Sequence, residues 1–462
     1  MGKNSKARRA ARAKSRAQRG NGPSSWGTNE NPGSRRPPWT GDDDGSRFTE
    51  TEDARGLLWL TAQARHRRDG FAPNGLSRLA RMAPDVVDRA AEAVLLDEVS
   101  SVWIRGWQPS ELHRRARLGS PTAAVARLVH LAMATDHVGR RSVTLDQRWI
   151  SQIEGLDLPA VNGREGWVGR WLHLEGLDRT TAVAGMVDAL AGLMQLPTLD
   201  PLLPLPGSAG SRPRAAPSSR PVGDAGAETN PILDRIRALL AMAESTTFEA
   251  EATAFTAKAQ ALMTRHAIDA ALLQGRTGQN NEHPVTIRVP IDAPYADAKS
   301  FLLQTVARAG RCRSVFDPDL SWSSVVGFAG DLAGVELLFT SLLLQAQTAL
   351  TDAAKRAPAG TRTRSRQYRS AFLVAYAGRI GDRLSEINEA VFAEVEAEHG
   401  SAFLPVLHSR SAEVDDVVAE RFGELTNSRV RGGYDPAGWA EGRSAADRAR
   451  LNFGELVGEP TP

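Results

Sequence analysis

A chain of 462 residues exceeds one ordinary domain and, at about 150 residues per domain, is expected to hold two or three. Its 41% hydrophobic and 24% charged residues are globular in aggregate, but the net charge of +3 is unevenly spread: residues 1–40 carry +9 and the rest −6. The single cysteine, Cys312, excludes an intrachain disulfide framework and points to a reducing cytoplasm.

The basic N-terminus is followed by no apolar core, so it does not read as a secretory signal. The most apolar stretch, Val335 to Leu350, is broken by Glu336, Gln345 and Gln347 and falls short of the ~20 residues a membrane span needs. No membrane contact is expected. Only six of the 57 basic residues are lysine, a bias that a GC-rich genome produces, so arginine abundance alone does not indicate nucleic-acid binding.

In chain order, residues 1–46 read as a disordered basic tail, because Lys, Arg, Ser, Gly and Pro cannot bury enough apolar surface to offset the entropy of ordering. Residues 47–196 read as an all-α domain. Its clearest stripe is Val87, Ala90, Ala91, Val94, Leu95, Val99 and Val102, behind Pro84 at a helix start. Pro109 to Asp136 has a helix–turn–helix outline. Its second helix is mostly apolar and offers only Arg127 and His130 to a groove, so a buried bundle helix is the preferred reading.

Residues 197–229 carry seven prolines and read as an extended linker. Residues 230–274 read as a helical hairpin. Asn230 and Pro231 open the first helix, which has Ile236, Leu239 and Leu240 on one face, and the second turns Ala259, Leu262, Met263 and His266 inward. A hairpin this small needs something to pack on. Residues 283–455 read as a mixed α+β unit. It has a strand from Val285, a β-hairpin turning at Asp317-Pro318-Asp319, and two long helices, Leu332–Arg356 with Asp331 as cap and Tyr368–Glu398. The fold class expected is mainly α.

Three stretches of the hairpin resemble a bacterial and phage family catalogued as domain of unknown function 2786. They are Ile236 to Ser245, the acid-Ala opening from Glu249, and the Ala-Gln-x-Leu-Met-x-x-His-x-Ile-Asp end from Ala259 to Asp269. Ala298 to Leu384 is similar to the companion domain often found downstream, through Arg311-Cys312-Arg313, Val326 to Asp331, and Arg366 to Phe372. The resemblance implies an architecture and brings no activity with it.

Searches for catalytic patterns return little. No phosphate loop, His-Glu-x-x-His, Gly-x-Ser-x-Gly or Cys-x-x-Cys is present, and no two of the nine histidines have the helical spacing of metal ligands. Neither metal nor cofactor is expected. Gly327, Gly330 and Gly334 read as an ordinary strand-to-helix turn, Cys312 as a small buried hydrophobe, and His266 as a helix-end imidazole. Together His266, Cys312 and Asp331 are the pocket residues of the enzyme alternative, a hydrolase.

Two basic features remain. The tail (Lys3, Lys6, Arg8, Arg9, Arg12 and onward) can contact phosphates by counterion release. The second is a strip, Arg362, Arg364, Arg366 and Arg369, preceded by Lys355 and Arg356 and continued by Arg379 and Arg383, with Tyr368 placed to stack on a base. The leading expectation is therefore a non-enzymatic, cytoplasmic protein that associates with nucleic acid or another partner. The alternatives are the hydrolase and a helical scaffold whose long helices drive oligomerisation.

Overall fold

A computed structural model describes residues 50–140, 145–161, 163–206, 231–245, 258–268, 282–357, 361–426 and 435–449. The basic tail, most of the proline-rich stretch and the turn joining the two hairpin helices lie outside these described residues.

The first half is a bundle: α1 (Glu50–Arg67), α2 (Phe71–Leu79), α3 (Pro84–Ile104), α4 (Pro109–Gly119), α5 (Ala123–Val138), α6 (Gln147–Glu154), α7 (Trp167–Glu175) and α8 (Arg179–Met194). Local chemistry sets the starts. The Thr122 hydroxyl accepts from the Val125 amide at 3.2 Å, and Asp178 accepts from the Thr180 and Thr181 amides at 3.0 and 3.1 Å. In α3 the whole apolar stripe from Val87 to Val102 is buried. The helix α5 is buried from Val125 to Asp136 except at Arg127, which is exposed and paired with Glu175. It is a core helix, with no free polar face for a groove.

The second half contains α9 (Pro231–Ser245) and a helical stretch over 258–268, called α10 here. Then follow β1 (Val285–Pro290), α11 (Ala296–Ala309), β2 (Arg313–Asp317), β3 (Trp322–Gly327), α12 (Ala329–Arg356), α13 (Arg366–His399), α14 (Leu404–Phe422) and α15 (Pro436–Arg448). The sheet is antiparallel in the order β1-β3-β2, with Ile287 opposite Val325 and Val315 opposite Ser324. Val325 faces the core built by α11, α12 and α13, while Val326 and Phe328 face Val414 and Val418 of α14. The described residues are mainly helical, with one small sheet. In α12, the most apolar window is half buried inside the protein and supplies Leu332, Val335, Leu338 and Leu342 to the core.

Two sequence expectations need correction. The linker starts later than residue 197, because Leu203 is buried in the bundle and the Trp107 indole donates to the Pro197 carbonyl at 2.8 Å. Asp331 does not cap α12. Phe328, buried under α14 and extended in backbone, starts that helix at Ala329, so Asp331 falls inside the first turn. The helix α14 has a stripe of Leu407, Arg410, Val414 and Val418 that an arginine interrupts. The Arg410 guanidinium lies 3.6 Å from the centre of the Phe328 ring, a cation–π seat that lets a charged residue occupy a buried position.

The two halves are joined through the β-hairpin. Leu320 and Trp322 belong to the core of the helical bundle, with the Trp322 ring edge-on to Trp107 at 5.3 Å. Beside them the buried Arg288 of β1 donates to Glu111 of α4 at 3.0 and 3.1 Å and to the Asp200 carbonyl at 2.6 Å. Glu111 also accepts from the Gln108 amide at 2.9 Å. Burial pushes the Glu111 carboxyl up from its ordinary range, against the pull of Arg288. Arg114 adds a second bridge, donating to Asp292 and, at 2.9 Å, to the Ser321 carbonyl. Just behind this interface the rings of His113 and His130 stack at 4.1 Å.

Glu111→Ala is expected to lower unfolding stability by about 3–5 kcal/mol in a urea titration, because it strands a buried guanidinium. Glu111→Leu combined with Arg288→Met is expected to recover most of that loss. The pH dependence follows from the histidine stack. Burial, then His130 and Arg117, hold His113 down at about 4, and burial lowers His130 as well. The unfolded chain takes up these protons below its ordinary value of 6.5 while the folded one does not. Stability is therefore full above pH 6.5 and declines towards pH 4; melting temperatures across that window should fall less steeply in His113→Gln than in the wild type.

Candidate functional site

The strand-to-helix turn after β3 brings His266, Cys312 and Asp331 into one neighbourhood, and packing accounts for it. A Cβ built on Gly327 would collide with the Cys312 sulfur, one on Gly330 would touch the His266 ring at 3.6 Å, and one on Gly334 would run into Met263. Three glycines thus seat one residue from β2's approach and two from α10. Cys312 is fully buried, with Sγ 3.4 Å from the Gly310 carbonyl oxygen, and burial together with Asp331 pushes its thiol far up. The flanking arginines do not offset this. Arg311 donates to Asp331 at 3.2 Å, and Arg313 is 2.6 Å from Asp415. A thiol held in its neutral form is a poor nucleophile.

Among the described residues, Thr361 to Ser365 line an open surface depression of about 430 Å³, and residues including Arg308, Gly381 and Asn388 line another of about 250 Å³. His266, Cys312 and Asp331 line neither.

The larger depression lies in the arginine strip. Short-range bonds shape the loop: the Thr363 amide reaches the Thr361 carbonyl at 3.0 Å, and the Ser365 amide reaches that of Arg362 at 2.9 Å. The Ser365 hydroxyl then caps α13 by accepting from the Tyr368 amide at 3.1 Å. Arg362, Arg364 and Arg366 are exposed, and none is ion-paired with a described carboxylate. The first turn of this 34-residue helix contains no acid. Cations at a helix N-terminus face the positive end of its dipole, so this charge is held where the protein itself disfavours it. An anion bound there would relieve both terms.

The rest of the expected strip is used internally. Lys355 pairs with Asp352 at 2.9 Å and Arg356 with Glu441 at 3.2 Å. Arg369 points its Nε at the Thr363 carbonyl, 3.4 Å away. Arg379 pairs with Asp447 and Glu386, while buried Arg383 donates to the Ala446 and Ala449 carbonyls at the end of α15. Burial draws Arg383 down to about 10. Tyr368 is 3% exposed, so it cannot stack on a base as its sequence position suggested.

The reason is α15. A Cβ on Gly438 would stand 2.5 Å from the Tyr368 carbonyl oxygen, and one on Gly442 would meet that of Phe372. Because 438 pairs with 368 and 442 with 372, α13 and α15 run parallel and both begin at one end of the molecule. Trp439, next to the first glycine, is turned outward and 47% exposed. Sequence reasoning passed over it. The available signal was its place between glycines four apart, whose face must be the buried one.

Residues 232–270 match the family described as "Protein of unknown function (DUF2786)". The resemblance expected from the sequence is thereby shown for the hairpin. The match ends at residue 270, so the downstream resemblance rests on sequence motifs alone. No curated protein and no solved structure matches the chain. The DUF2786 end motif supplies Met263 and His266, the two side chains seated on the α12 glycines. Its glutamine, Gln260, donates at 3.1 Å to Asn388 of α13, which also accepts from Thr264 at 2.8 Å.

The burial of Cys312 predicts that a thiol-specific reagent leaves the native protein unlabelled and modifies one sulfur after denaturation. Rapid labelling of the native chain would reopen Cys312 as a nucleophile.

Proposed function

We propose that this chain is a non-enzymatic, cytoplasmic nucleic-acid-binding protein whose ordered contact is the loop Arg362, Arg364 and Arg366 at the head of α13. The observation that carries this reading is three exposed arginines, unpaired among the described residues, beside a helix start that has no acid. Phosphates satisfy the guanidinium groups by charge-assisted hydrogen bonds and satisfy the helix terminus by its dipole. The basic tail from Lys3 to Arg19 adds a second, sequence-independent contribution of the same sign. The single cysteine favours the cytoplasmic setting. We also read residues 298–384 as the companion domain that accompanies the DUF2786 hairpin.

Fluorescence anisotropy with labelled DNA and RNA over a salt series tests the reading on the full chain. Arg362→Ala/Arg364→Ala/Arg366→Ala is expected to weaken binding and flatten the log–log salt slope by about two to three units, close to 0.7–0.9 per phosphate lost. A triple variant with unchanged affinity and slope would sink the proposal.

A further inference from the structure

The exposed face at the shared start of α13 and α15 carries more than charge. Among the described residues Trp439 is the one exposed phenylalanine, tyrosine or tryptophan, and it stands in the first turn of α15. Arg443 follows four residues later, on the same face and also exposed, and no described carboxylate pairs with it. The two acids at this end are already engaged. Asp435 caps α15 by accepting from the Gly438 amide at 2.8 Å, and Glu441 is held by Arg356 at 3.2 Å and Arg448 at 3.0 Å. Because Gly438 lies against Tyr368, the indole and the Arg362–Arg366 loop belong to the same end of the helix pair.

We infer that this end binds single-stranded nucleic acid, with Trp439 as a stacking platform for a base and Arg362, Arg364, Arg366 and Arg443 on the backbone. This rests on the arginine-loop reading above and narrows its substrate. A duplex keeps its base faces stacked inside, beyond reach of an indole on a convex helix, whereas a single strand presents them. The best helix–turn–helix candidate, α5, is buried, so it offers no recognition helix for the major groove. Stacking plus phosphate contact uses features common to every base and every backbone unit, so binding is tolerant of sequence.

The test compares, at one salt concentration and with the full chain, four probes of equal length, about 16 nucleotides: oligothymidylate, oligouridylate, the matching DNA duplex, and an abasic DNA strand that keeps the phosphates and lacks the bases. Both base-bearing single strands are expected to bind more tightly than the duplex and the abasic strand. Trp439→Ala should weaken them by about 5- to 100-fold, leaving abasic binding and the salt slope unchanged. Trp439→Phe, which keeps a ring, should retain most of the affinity, and matched melting temperatures guard against a folding defect. A preference for one of the two single strands assigns the polymer as DNA or RNA. Equal affinity for oligothymidylate and the abasic strand, or indifference to Trp439→Ala, overturns the stacking site while leaving the arginine contact standing. Absence of binding to all four probes overturns both.

Discussion

Two helices can lie side by side at backbone contact only where no side chain stands between them, and Gly438 and Gly442 give α13 and α15 that freedom. Much of the C-terminal architecture follows. Tyr368 and Phe372 are covered, and Arg383 is drawn into the core to satisfy the Ala446 and Ala449 carbonyls, where its charge meets the negative end of α15. The opposite end has no such compensation. There the protein gathers cations at the positive end of a long helix, an arrangement unfavourable alone and favourable with an anion present.

The same device, used on α12, explains how a hairpin too short to fold alone is held. Gly330 and Gly334 receive His266 and Met263 of α10, while Gln260 and Thr264 meet Asn388 of α13, which in turn donates to the Ala309 carbonyl at 2.8 Å. Apolar burial supplies the driving force, and the amide network fixes the register, since any slip would leave these polar groups buried without partners. The family pattern at the end of the hairpin thus reads, in this chain, as a docking face.

What the sequence revealed depended on whether one kind of interaction dominated locally. The α3 stripe is legible because apolar residues recur on its inward face often enough to outweigh the buried Glu92 and Glu98, and β1 is legible because its alternation has period two. The capping assignment of Asp331 failed because a tertiary contact, Phe328 beneath α14, decided where α12 begins. The helix α14 was hidden because its buried stripe includes Arg410, whose partner is an aromatic face more than eighty residues upstream. Arg362, Arg364 and Arg366 could be picked out as a loop, but the consumption of Arg379 and Arg383 by α15 could not, since it depends on a glycine seat that no local pattern announces. Trp439 looked like any isolated tryptophan until α15 had been placed against α13.

The hairpin tip buried in the bundle bears on how this chain can be dissected. Leu320 and Trp322 complete a core assembled from residues that precede them by more than a hundred positions, and Arg288 and Glu111 neutralise one another across the same seam. Cutting the chain within the proline-rich stretch would leave one fragment with an open apolar socket and the other with a protruding tryptophan and an orphaned guanidinium. Fragments of that kind aggregate or cling to unrelated surfaces, so truncation mapping would record misfolding as loss of function and stickiness as gain. Any role of this protein is therefore better localised by single substitutions in the intact chain.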